Sequence, residues 1–120
     1  MRREAAAFLW DAHQAAALIR EFVSGHDFET FSASALVRSG VERQFEIIGE
    51  ALNQLSKIAP DVAAKIPNVG QIVGFRNVLI HGYAALDNAV VWKVIQEDLG
   101  PLEEIVQRLL DKSPPPGAPL

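Results

Sequence analysis

Apolar residues Leu9, Ala12, Ala16, Ile19 and Val23 succeed one another at steps of three, four, three and four. That spacing lines one face of a helix and predicts a first helix over about residues 3–24. The run Ser24-Gly25-His26-Asp27 interrupts the pattern, and Phe28 and Phe31 then read as a loop tucked back on the core. A second stripe, Val37, Val41, Phe45, Ile48, Leu52 and Leu55, predicts a helix over about residues 33–57. Pro60 and Pro67 bracket a connector with room for one or two helical turns. Asn68 is placed to cap a third helix with Ile72, Phe75 and Leu79 as its buried stripe and Gly82 as its stop. Asp87 is placed to cap a fourth, carrying Val91, Ile95, Leu102 and Leu109 inward, with a kink or break expected at Gly100-Pro101.

No segment alternates with the period of a strand, so the expected fold class is all-α, an up-down antiparallel helical bundle. At 120 residues, 49% hydrophobic and 22% charged, the chain has the composition of one globular domain. That domain is expected over residues 1–112. Residues 113–120, with Pro114, Pro115, Pro116 and Pro119, are expected to form a flexible proline-rich tail. Trp10 and Trp92 are expected in the core, the alternative being that either covers a partner surface. No stretch is long and apolar enough to span a bilayer, and no secretory pattern opens the chain, so no membrane association and a cytoplasmic location are expected.

Cysteine is absent, which excludes disulfides, thiolate metal sites and thiol nucleophiles. His13, His26 and His81 are far apart and show no paired ligand spacing, so no metal and no cofactor are expected; His13 and His26 read as surface or packing residues. The net charge of −4 argues against holding nucleic acid by bulk electrostatics. The distribution is uneven, however: Lys57, Lys65, Arg76 and Lys93 stand against only Asp61 and Asp87 in the middle of the chain. If an anion binds, that segment is where a locally basic cleft is expected; the alternative is that the imbalance is chance.

Within that segment, polar residues interrupt an apolar helix end as Arg76-Asn77-Val78-Leu79-Ile80-His81-Gly82-Tyr83. An imidazole that titrates near neutrality suits proton transfer at a ribose 2′-hydroxyl or a leaving 5′-oxygen, which makes His81 a candidate acid or base. Arg76 suits a phosphate and the charge that builds on it, Asn77 the orienting of His81 or of a substrate oxygen, and Tyr83 a base or phosphate. On an ideal helix His81 lies about 140° around the axis from Arg76, so joint action on one phosphate needs a bend, a helix end or a second subunit. The same residues also fit a structural reading, in which Arg and His satisfy carbonyls near a helix end. Glu50 either pairs with Arg76 or stands as a solvated carboxylate.

The stretch RNVLIHGY resembles the signature of the HEPN superfamily, and specifically of HepT-type toxins. VERQFEIIGEAL at 41–52 is similar to the second-helix segment of that family, and Val91-Trp92-Lys93 with Glu97-Asp98-Leu99 to its fourth. The resemblance implies a homodimeric helical bundle acting as a metal-independent endoribonuclease on RNA, with Arg76 and His81 as the catalytic pair from both subunits, and Asn77 in support. It also implies the toxin half of a type VII-like toxin–antitoxin module, whose partner, a MntA-type nucleotidyltransferase, transfers AMP to Tyr83. The competing expectation is a non-catalytic nucleotide-binding or docking subunit of a nucleotidyltransferase.

Overall fold

The computed structural model describes residues 3–81 and 87–112. These residues form helices α1 (Arg3–Val23), α2 (Phe28–Ala33), α3 (Ala35–Ile58), α4 (Pro60–Ala63), α5 (Val69–His81), α6 (Asn88–Glu97) and α7 (Leu99–Asp111), and no strand is found among them. The fold class is thus all-α, as the periodicity predicts.

The two longest helices pack together as the centre of the molecule, with α7 against α1 and α5 against α3. Leu9, Ala12, Ala16 and Ile19 of α1 meet Val41, Phe45, Ile48, Leu52 and Leu55 of α3 in one continuous core, to which α7 adds Leu102, Val106 and Leu109. The first two predicted stripes are therefore buried through Leu9–Ile19 and Val41–Leu55, with Val23 and Val37 half-buried at their ends. Between the helices Arg20 of α1 and Glu103 of α7 form an ion pair. Among the described residues no helix is long and apolar enough to cross a membrane.

The structure departs from the sequence expectation in three places. Residues 28–33 are a helix and not a loop, because Asp27 and Thr30 close a capping box. The Asp27 carboxylate accepts from the Thr30 amide at 2.9 Å, and the Asp27 amide donates to the Thr30 hydroxyl at 3.0 Å. Of the two phenylalanines, Phe31 is buried and packs against Trp92 with ring centroids 5.1 Å apart and the rings tilted by 39°, whereas Phe28 is exposed. Second, the fourth predicted helix is two helices, and the break falls at Asp98, ahead of Gly100-Pro101. A proline ring collides with the carbonyl four residues earlier, here that of Glu97, so Pro101 is accommodated only in the first turn of a new helix. Third, Trp10 is 43% exposed and stacks on His13 instead of entering the core, while Trp92 packs against the core as expected.

Asn68 does mark the start of α5. Its carbonyl accepts from the amides of Gln71 and Ile72 at 3.0 and 3.1 Å, and its own backbone is left-handed at φ 62°, a conformation asparagine tolerates better than most residues. Gly82, the predicted stop, lies outside the described residues.

Candidate functional site

The helix that carries the candidate residues leans on one neighbour. Ile72, Phe75 and Leu79 of α5 are half-buried against the core, where full burial is the sequence expectation. Phe75 meets Phe45 of α3 edge-on at 5.3 Å. The opposite face of α5 is open: Asn77 is exposed, and Val78 is 55% exposed.

Arg76 points along α3. Its Nη2 lies 2.9 Å from Oε2 of Glu50, and its Nη1 donates to Oδ1 of Asn77 at 3.0 Å. The second oxygen of Glu50 accepts from Nε2 of Gln54 at 3.0 Å, so the carboxylate is itself held in place. Of the two alternatives for Glu50, the structure shows the pairing. The Arg76 side chain is 21% exposed, and its Nε is buried without a hydrogen-bond partner. The stem runs over Gly49, the residue preceding its partner. A Cβ added at Gly49 would stand 2.8 Å from Cγ of Arg76, 3.0 Å from its Cδ and closer still to its Cβ.

The guanidinium borders a cleft of about 280 Å³ walled by Phe8 and Asp11 of α1, Arg43, Glu46, Ile47, Glu50 and Ala51 of α3, and Arg76. Partial burial raises the Asp11 carboxyl above its ordinary value. Arg43 pairs with Glu46 at 3.2 Å. Three carboxylates thus face two guanidinium groups, and the expectation of a basic cleft is not met. The reason is geometric: Lys57, Lys65 and Lys93 are exposed, and none of them lines this cleft. Among the described residues no group of three or more histidine or carboxylate side chains is arranged to hold a metal ion.

Of the predicted site residues, the structure brings Arg76 and Asn77 into direct contact. His81 is the last residue of α5, about 7.5 Å along the axis from Arg76 at ideal rise. Tyr83 lies outside the described residues. His13 and His26 are away from the cleft: His13 stacks on Trp10, and Nδ1 of His26 lies 3.1 Å from the Thr30 hydroxyl. Sequence reasoning misses Gly49, Gln54 and Asp11. Only Gly49 leaves a signal, since a glycine inside a strongly periodic helix is disfavoured by about 1 kcal/mol and calls for a packing reason.

The family described as Ribonuclease HepT-like matches residues 12–109 of this chain. The Methanocaldococcus jannaschii protein named "Putative RNase MJ1380" is 35% identical over 108 residues, 88% of this chain and 96% of that protein. The "Probable ribonuclease HepT" of Thermococcus cleftensis is 31% identical over 113 residues, 91% of this chain and 98% of its own length. No solved structure matches.

Proposed function

The chain belongs to the HepT-like ribonuclease family of the HEPN superfamily, and from that membership we propose that it is a metal-independent endoribonuclease in which Arg76 and His81 act on one phosphodiester of RNA. The observation that carries the reading is the orientation of Arg76 at the edge of an open cleft, five residues ahead of His81 on the same helix.

In the proposed reaction His81 takes the proton of a ribose 2′-hydroxyl, and the 2′-oxygen attacks the adjacent phosphorus. The bond from phosphorus to the 5′-oxygen breaks, and a proton returns to that oxygen from an imidazolium. The products are a 2′,3′-cyclic phosphate and a 5′-hydroxyl. Arg76 stabilises the charge gathered on the phosphoryl oxygens in between. On an ideal helix positions 76 and 81 stand about 140° apart around the axis. A homodimer that faces one α5 against another brings an arginine and a histidine from different subunits to a shared linkage, and Val78, 55% exposed on the open side of α5, is available to such a contact.

The regulatory reading follows the same residues. The protein is proposed to be a cytoplasmic toxin restrained by a MntA-type nucleotidyltransferase that adds AMP to Tyr83, two residues beyond His81. A bulky anion there would obstruct the approach of RNA. Two experiments test these readings. Purified protein in the presence of a chelator is expected to cut an RNA oligonucleotide, to leave 2′,3′-cyclic phosphate ends, and to spare the same oligonucleotide carrying a 2′-deoxyribose at the cut site. Cleavage of the deoxy substrate at an equal rate would reject the mechanism. Intact mass after co-expression with a MntA-type enzyme is expected to rise by whole AMP units, and Tyr83→Phe to abolish the rise.

A further inference from the structure

Gly49 is buried in the middle of α3, between Ile48 and Ala51 of the core, yet it adds no side chain to that core. Alanine is the better helix former, so helix stability does not account for the glycine. The Arg76 stem does, because it occupies the volume where a Cβ would stand. The next residue, Glu50, receives the head of the same side chain at 2.9 Å.

We propose that Gly49 and Glu50 are a positioning pair for Arg76: the bare backbone at Gly49 seats the stem, and the Glu50 carboxylate fixes the direction of the guanidinium. The inference rests on the ribonuclease reading for its consequence, though not for its geometry. An unrestrained arginine samples many rotamers, and here that freedom is removed at both ends. Packing, and not a hydrogen bond, holds the Nε end, since that atom is buried without an acceptor. An ion pair with Glu50 and a hydrogen bond to Asn77 hold the other end.

The arrangement makes Glu50 both clamp and competitor. A phosphate that approaches the free N–H groups of Arg76 comes up against the like charge of the Glu50 carboxylate at Nη2. Glu50 is 48% exposed, so its carboxylate has solvent to turn into. Neutralising Glu50 is therefore expected to strengthen ground-state binding of RNA while loosening the orientation that the transition state needs.

The test compares Gly49→Ala and Glu50→Gln with the unaltered chain by two readouts. The first is solvent exchange of the Arg76 Nε–H by NMR, assigned with Arg76→Lys. The second is RNA cleavage with kcat and KM separated. In Gly49→Ala the exchange is expected to accelerate and kcat to fall by about 10- to 100-fold, as for a misplaced catalytic group. In Glu50→Gln KM is expected to fall together with kcat. Should Gly49→Ala unfold, the double variant Gly49→Ala/Arg76→Gly is expected to regain the melting transition, because it opens the same space from the other helix. An unchanged Arg76 signal and kcat in a folded Gly49→Ala, or a double variant no more stable than Gly49→Ala alone, would overturn the proposal. A wild-type chain that cuts no RNA would defeat the ribonuclease reading, while the exchange and melting data would still decide the positioning claim.

Discussion

Nη2 of Arg76 and Oε2 of Glu50, 2.9 Å apart, join the helix that carries the candidate site to the helix at the centre of the core. The pair is only partly shielded, with Glu50 48% exposed, and ion pairs in that setting contribute about 0–1 kcal/mol to stability. Its importance is orientation. Glu50→Ala is accordingly expected to lower the unfolding free energy by less than about 1 kcal/mol in a denaturant titration. A larger loss would mean that the ion pair is a structural element of the bundle.

The core behaves differently. Leu52 is fully buried between the central helices, and truncation there removes apolar contact and leaves a cavity. Leu52→Ala is expected to cost about 2–5 kcal/mol, measured by the same titration. A cost near that of Glu50→Ala would contradict the placement of α3 at the centre.

Asp11 gives the cleft a pH signature. Burial raises its carboxyl above 3.8 in the folded chain, so the folded state holds the proton more tightly than the unfolded state does. The ionised carboxylate therefore counts against the fold at neutral pH, and the penalty fades as pH falls through the raised value toward the unfolded one. Asp11→Asn is expected to raise the melting temperature at neutral pH, with the difference closing near pH 3, below the ordinary range of about 3.9. An equal difference at both pH values would show that the carboxylate is not penalised by burial.

Salt dependence reports how many phosphates the protein grips. With carboxylates outnumbering guanidinium groups in the cleft, few contacts are available. The logarithm of kcat/KM against the logarithm of salt concentration is expected to slope at about −0.7 to −1.4, as one or two phosphate contacts on a single strand would give. A slope several times steeper would point to a binding surface other than this cleft.

The long elements were legible because their signals repeat: the stripes through Leu9 to Val23 and Val37 to Leu55 return several times at helical spacing and become the buried faces of α1 and α3. The short helix α2 depends on one local pair, Asp27 with Thr30, and threonine at the third helical position is not the glutamate or glutamine that usually announces a capping box. A break at Gly100-Pro101 is legible in the sequence, but its position at Asp98 follows from a collision four residues upstream of the proline. In the site, Arg76 and Asn77 stood out as polar residues on an apolar helix, and the partner Glu50 was a candidate. Gly49 was not, because its importance comes from a side chain 27 positions later crossing above it. Net charge misled for a similar reason: sequence proximity placed Lys57, Lys65 and Lys93 near Arg76, whereas the fold lines the cleft with Asp11, Glu46 and Glu50.

The most direct measurement is the initial rate of cleavage of one defined RNA, in chelator, by the unaltered chain, Arg76→Ala and His81→Ala, each verified as folded by circular dichroism. Loss of one group that stabilises developing charge or transfers a proton is expected to slow the reaction by about 100-fold or more. That fall is expected for both variants; cleavage at the unaltered rate in both would contradict the roles assigned to Arg76 and His81.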